Sequence, residues 1–159
     1  YKTGETIPDD LIAKIKKSAT FNQGYALTEI LAAAELDILW HKLSAAAPLQ
    51  DVDQFELESL KKTNLNLKEV PPRYRSSYFL HIWNNGYQAG YYAYLWAEVI
   101  DHDAYAWFEE NGGMTRANGQ RLRDMVLSQG NSQDLEKMYE TFRGKKPEIA
   151  PMLKARGLK

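Results

Sequence analysis

Two long stretches free of proline, in which apolar residues return at the spacing of an α-helix, set the tightest limit on what this chain can fold into. From Phe21 to Leu43 the residues Tyr25, Leu27, Ile30, Leu31, Ala34, Ile38 and Leu39 keep that period, so that one face of a helix is apolar. Ala32 to Ala34 add intrinsic helix preference. The second stretch, Tyr87 to Glu110, is rich in aromatic residues and stops at Asn111-Gly112-Gly113, the composition of a helix C-terminus. Each stretch predicts a long helix.

The segments around them read in the same way. Pro8, Asp9 and Asp10 place a turn residue and negative charge at a helix start before Leu11, Ile12 and Ile15, which predicts a short helix over 8–18. Asp51 caps a short helix carrying Val52, Phe55, Leu57 and Leu60. Pro71-Pro72 forces extended backbone before Arg73-Tyr74-Arg75. Tyr78 to Trp83 is an apolar stretch whose periodicity fits helix or strand, and the breaker Asn84-Asn85-Gly86 closes it. Thr115 caps a helix through Leu122, Met125, Val126 and Leu127 that ends at Gln129-Gly130, and Ser132 caps one through Leu135, Met138, Tyr139 and Phe142 that Gly144 stops. Lys146-Pro147-Glu148 opens a last helix, with Gly157 past its end. The expectation is a mostly α chain, with 1–159 belonging to one body and no internal boundary.

Composition narrows the function classes. Lys and Arg number 20 against 21 Asp and Glu, a balance that offers no electrostatic track for nucleic acid or anionic lipid. No apolar run approaches the roughly 20 residues of a membrane span. Cysteine is absent, which removes thiol catalysis and cysteine-based zinc sites and fits a reducing compartment, the cytoplasm. The chain opens on Tyr1-Lys2-Thr3 without Met, and sequence upstream of Tyr1 is therefore expected.

Of the three histidines, His41, His81 and His102, none belongs to an H-E-x-x-H pair, so this chain is expected to hold no catalytic metal by itself. His102, between Asp101 and Asp103, reads as a solvated surface group. The informative segment runs from His81 to Trp96. If a helix opens at Tyr87, then Tyr87, Tyr91 and Tyr94 stand at i, i+4 and i+7 on one face. A row of neutral phenols can donate hydrogen bonds to a peptide carbonyl or to the oxyanion that develops on it. The same spacing also describes an aromatic core stripe. Four tyrosines within eight residues would each need a hydroxyl partner if buried, which argues for the wall.

The run Phe79 to Glu98, together with Gly112-Gly113-Met114-Thr115-Arg116, Gly119-Gln120-Arg121-Leu122-Arg123, Leu127 to Ser132 and Phe142-Arg143-Gly144-Lys145, resembles the C-terminal region of the thimet oligopeptidase family of zinc metallopeptidases. It lies nearest the family's bacterial peptidyl-dipeptidase branch. Pro151 to Leu158 and Phe21-Asn22-Gln23-Gly24-Tyr25 extend the likeness over nearly the whole chain. The resemblance implies a C-terminal portion of a larger, neurolysin-like, cleft-containing helical enzyme. That enzyme would release dipeptides from the C-termini of short peptides. It also implies that Tyr94 stabilises the tetrahedral intermediate, a catalytic role, and that His81, Tyr87 and Tyr91 bind substrate. The family's zinc ligands and its H-E-x-x-H helix precede the matched region, so zinc belongs to the complete enzyme, none of its ligands is expected in this chain, and the upstream portion of the protein is an expected partner.

The pattern departs from the family where consecutive glycines give way to Asn84-Asn85 before Gly86. Release of a C-terminal dipeptide calls for a group that recognises the free carboxylate. Arg73 and Arg75 qualify on charge, or else form a surface pair after the proline turn. The competing reading is a stand-alone helical binding module without catalytic activity, which would account for the missing metal ligands directly.

Overall fold

The computed structural model describes residues 2–84 and 86–159. Tyr1, and with it the expectation about the chain's start, and Asn85, the middle of the expected breaker, lie outside the described residues. Helices dominate and no strand occurs among the described residues. The chain divides into two compact units, one of residues 1–95 and 156–158 and the other of 96–155 and 159. No helix among the described residues is long and apolar enough to cross a membrane.

In the first unit α1 spans Asp9–Ser18, with Asp9 and Asp10 in its first turn and Lys16 and Lys17 in its last, charges that complement the helix dipole at both ends. The long predicted helix is α2, Gln23–His41. It starts after Asn22, whose left-handed backbone (φ 53°) breaks the chain direction. Its alanines do more than favour helix. Ala32 and Ala33 are fully buried and Ala34 nearly so, and their small size lets neighbouring elements reach the helix backbone closely. Ala32 and Leu36 pack with Leu60, while Ala33 and Ala34 pack with Phe79, Ile82 and Tyr91. Helix α3, Val52–Lys62, is capped as the sequence indicates, the Asp51 side chain accepting from the Gln54 amide at 2.9 Å.

The ambiguous segment resolves into a 3-10 turn, Ser76–Tyr78, followed by one short helix, α4, Leu80–Trp83. Helix α5 covers Ala93–Glu110. It begins six residues later than the period predicts, because Gln88 to Tyr92 form turns instead of helix.

In the second unit, Thr115 caps α6, Arg116–Leu122. The predicted continuation to Leu127 is a π-helical stretch, Arg123–Leu127. There the Ser128 amide donates to the Arg123 carbonyl at 2.8 Å, and the Asp124 carbonyl is taken up by the Ser128 hydroxyl and the Gln129 amide side chain, which widens the turn. Asp134, not Ser132, caps α7, Leu135–Arg143, by accepting from the Lys137 amide at 2.9 Å. Gly144 (φ 82°) ends α7 in the left-handed conformation that glycine adopts without steric cost. The last helix, α8, covers Ala150–Ala155 and so starts after Pro147, not at it. The core of this unit is Trp107, Phe108, Tyr139 and Phe142, with Leu122, Met125 and Val126 packed against it.

Candidate functional site

The site is built in the first unit from α2, α3, α4 and the turn that precedes α5. Its foundation is Glu56 of α3. That residue is 3% exposed, and its carboxylate accepts from the Ser76 amide at 2.7 Å and from Arg75 Nε. A buried carboxylate needs such donors, and by recruiting the Ser76 amide Glu56 fixes where the 3-10 turn begins. Ser76 then serves both neighbouring indoles. Its hydroxyl accepts from Trp40 Nε1 at 2.9 Å and its carbonyl from Trp83 Nε1 at 2.8 Å. The segment carrying Phe79 and His81 is thereby tied to α2 and α3.

The chain returns to His81 through the turn. The Tyr87 amide donates to the His81 carbonyl at 3.3 Å, and the Gly90 amide to the Tyr87 carbonyl at 2.8 Å. Gly86 (φ 80°) and Ala89 (φ 54°) both lie in the left-handed region. At Gly86 this is free of strain, whereas at Ala89 the Cβ makes it cost about 1–2 kcal/mol.

The result is an aromatic cluster around the His81 imidazole. The rings of Tyr87, Tyr91 and Tyr94 stand 5.7, 5.8 and 6.4 Å from it. Tyr87 and Tyr94 are stacked at 5.1 Å with an 18° interplanar angle, and Tyr91 meets Tyr94 edge-on at 5.1 Å. All four residues singled out from the sequence are therefore brought together, though by a different route. The single helical face is not what gathers them, since only Tyr94 lies within α5.

Exposure also separates the tyrosines. Tyr87 and Tyr94 are 37% and 44% exposed, while Tyr91 is 4% exposed and packs against Phe79. Of the three phenols expected along one helical wall, two are partly exposed and the third belongs to the core beneath them. Tyr74, which sequence reasoning did not single out, joins the same cluster, stacked on Phe79 at 5.0 Å and 5.6 Å from His81.

Hydrogen bonding and burial set the protonation of these phenols. Hydrogen bonding to Tyr87 is the main reason that the Tyr94 phenol is pushed up to about 12, with desolvation and the charge of Tyr87 adding to it. Burial raises Tyr91, partly offset by Arg73. A phenol donates only while protonated, so Tyr94 remains a donor through neutral and mildly alkaline pH. Alkaline titration followed by phenolate absorbance is expected to show several phenols ionising above the ordinary value of about 10, Tyr91 and Tyr139 among them, and to lose one of these transitions in Tyr94→Phe. In Tyr87→Phe that transition is expected to move down toward the ordinary value. An unchanged transition in Tyr87→Phe would refute the pairing.

The two arginines ahead of the cluster are engaged within the fold. Arg73 pairs with Glu29 at 3.2 Å and lies over the Tyr74 ring, while Arg75 pairs with Glu56 and sits 3.8 Å from Asp53. In the second unit the His102 side chain is 29% exposed and lies 3.7 Å from Glu98, so the imidazole is half-buried and not the solvated surface group its acidic neighbours suggest; of those neighbours Asp103 is fully buried.

The residue that sequence reasoning missed is Asp37 of α2. It is fully buried, and its two carboxylate oxygens accept from the Ala89 amide at 2.9 Å and the Tyr91 amide at 2.8 Å. His41 Nδ1 lies 2.9 Å from Asp37 Oδ1 and 2.8 Å from the Asp37 carbonyl. Both partners are acceptors, so Nδ1 carries the proton. The i, i+4 spacing of Asp37 and His41 on a predicted helix was the available signal. Among the described residues no group of three or more His, Cys, Asp or Glu could hold a metal ion.

The family model described as Peptidase family M3 matches residues 1–158. The chain is 52% identical over 158 residues to the dipeptidyl carboxypeptidase of Escherichia coli (strain K12), covering 99% of this chain and 23% of that protein. It is 53% identical over 156 residues to the dipeptidyl carboxypeptidase of Salmonella typhimurium, covering 98% of this chain and 23% of that protein. Identity to oligopeptidase A of Haemophilus influenzae is 33% over 159 residues, or 99% of this chain and 23% of that protein. The chain therefore spans about a quarter of the length of these relatives.

Proposed function

From the chain's membership of peptidase family M3 we propose that it is the substrate-binding, C-terminal portion of a metallopeptidase that releases dipeptides from the C-termini of short peptides. The observation that carries this reading is the cluster of His81 with the half-exposed Tyr87 and Tyr94. Its phenols are neutral donors, and a scissile peptide group needs donors of that kind. In this reading Tyr94 donates to the oxyanion of the tetrahedral intermediate and is the catalytic residue of the chain. Tyr87 and His81 hold peptide backbone beside it. Tyr91, buried against Phe79, contributes from beneath, by fixing the level of His81 and Tyr94.

The dipeptide preference is supported by the higher identity to the two dipeptidyl carboxypeptidases than to the oligopeptidase. The metal is zinc in this reading. The described residues of this chain do not fit it, since they assemble no ligand group. Its ligands are assigned to an upstream portion of the same protein, corresponding to the part of the longer relatives that this chain does not span, and that portion is the chain's partner in this reading. A cytoplasmic setting fits a chain without cysteine.

The test is cleavage of short peptides by the full-length protein that carries this segment, with products read by mass spectrometry. Dipeptides are expected to leave from the C-terminus, C-terminal amidation is expected to slow the reaction, and a chelator is expected to stop it until zinc is restored. Cleavage at internal bonds irrespective of the C-terminus would sink the dipeptide assignment. Absence of any chelator-sensitive cleavage would sink the peptidase reading and favour a binding module.

A further inference from the structure

We propose that Asp37 is a positioning residue for the tyrosine cluster, a buried carboxylate that clamps the turn carrying Tyr87 and Tyr91 and so sets where the Tyr94 hydroxyl stands. The amides of Ala89 and Tyr91 donate to its two oxygens, and His41 Nδ1, which donates to the Asp37 carbonyl, stands 2.9 Å from Oδ1. A group that must accept on both oxygens in a fully buried place is a carboxylate, since an amide would turn a donor toward one of them. One of the two amides belongs to Ala89, the non-glycine residue in left-handed backbone. Strain of this kind persists only where the surroundings over-determine it, and the Asp37 bond acts on the strained residue itself.

The sequence separation gives the clamp its meaning. Asp37 lies more than fifty residues before the amides it holds, on a helix whose neighbouring faces pack into the core with Ala33, Ala34 and Leu36. Tyr87 precedes the clamped residues and stacks on Tyr94, which follows them. The carbonyls of Tyr87, Gly90 and Tyr91 accept from Gly90, Ala93 and Tyr94 in turn, so the two clamped amides sit in the middle of one continuous chain of turns. Moving them displaces the stacked pair. The effect on turnover rests on the peptidase reading given above, while the hold on the turn does not.

Two measurements test this separately. In the unaltered full-length protein, hydrogen exchange should find the Ala89 and Tyr91 amides as protected as the interior of α2; free exchange at both would overturn the proposal without any variant. In Asp37→Asn, which keeps the shape and costs at least one bond, these two amides are expected to exchange roughly ten- to a hundredfold faster, as loss of a bond to a charged acceptor implies, with the amides of α2 unchanged. The same variant is expected to lose roughly ten- to a hundredfold in kcat with a smaller change in KM. Adding Ala89→Gly, which removes the left-handed strain, is expected to restore part of both losses. A merely structural aspartate would show neither the local exchange nor that rescue. Unchanged exchange in a folded Asp37→Asn protein, or loss of protection throughout α2 with no rescue by Ala89→Gly, would refute the clamp. If the full-length protein cleaves no peptide, the peptidase reading fails and the exchange results still decide the role of Asp37.

Discussion

Replacing Tyr94 by phenylalanine in the full-length protein is expected to lower kcat by roughly a hundred- to a thousandfold while KM stays close to that of the parent, the signature of a donor used in the transition state and not in the ground state. The hydroxyl is the only group removed. The ring remains to stack on Tyr87 at 5.1 Å and to meet Tyr91 edge-on, so the surrounding structure has no reason to move. Tyr87→Phe separates the two roles. It deletes the partner that does most to hold the Tyr94 phenol neutral up to about 12, and it is expected to bring the alkaline limit of activity down in pH while affecting the rate at neutral pH far less than Tyr94→Phe. The sign follows from the chemistry: the phenol donates below its pKa and is lost as a donor as pH rises through it. A Tyr94→Phe protein that is folded and fully active, or one altered only in KM, would remove Tyr94 from the oxyanion role. The rest of the cluster would then be a binding surface.

How much of this was legible in the sequence depends on where each segment's amides find acceptors. Helix α1, the start of α3 and the end of α7 obey local rules, because Asp9, Asp10, Asp51 and Gly144 act on backbone within one turn of themselves. The segment from Tyr87 to Tyr92 carries a helical pattern and is not helical. A continuing helix would send the Tyr91 amide to the Tyr87 carbonyl, but that carbonyl accepts from Gly90, and the Tyr91 amide goes to Asp37. A fully buried carboxylate left without donors would cost more than the few local bonds a first helical turn provides, so the distant partner wins. Glu56 acts in the same way on Ser76 and decides a segment whose periodicity left helix and strand open. At α7 two residues compete to cap, and Asp134 prevails over Ser132 by reaching the Lys137 amide. The division into two compact units falls at Leu95 and Trp96, inside α5, where no turn residue could announce it. For the site, residue identity was legible and grouping was not: the sequence names His81, Tyr87, Tyr91 and Tyr94, while the carboxylate that gathers them stands outside the motif.

Removing Arg143 is expected to destabilise the second unit by about 3–5 kcal/mol for Arg143→Ala, as much as truncating a core aromatic, because it strands a buried charge. Asp103 is fully buried, and its Oδ2 accepts from Arg143 Nε at 3.1 Å and from the Tyr139 hydroxyl at 2.7 Å. Its Oδ1 has no hydrogen-bond partner among the described residues, so the guanidinium is the main compensation for its charge. Arg143 also holds Glu110 through two bonds of 2.7 and 2.9 Å, and that bonding keeps the Glu110 carboxyl below its usual range. This share of stability is present above the unfolded carboxyl value and is lost as pH falls through the lowered one. Because the Glu110 side chain is 53% exposed, solvent screens that contribution, and Asp103 decides the outcome. Urea unfolding followed by tryptophan fluorescence measures both. The double variant Asp103→Leu with Arg143→Met removes the charge together with its partner and is expected to recover most of the loss, since replacing a whole buried pair by apolar side chains is often neutral or better. If Arg143→Ala costs less than about 1 kcal/mol, in the range of exposed pairs, or if the double variant is as unstable as the single one, the buried charge is not what Arg143 is there to neutralise.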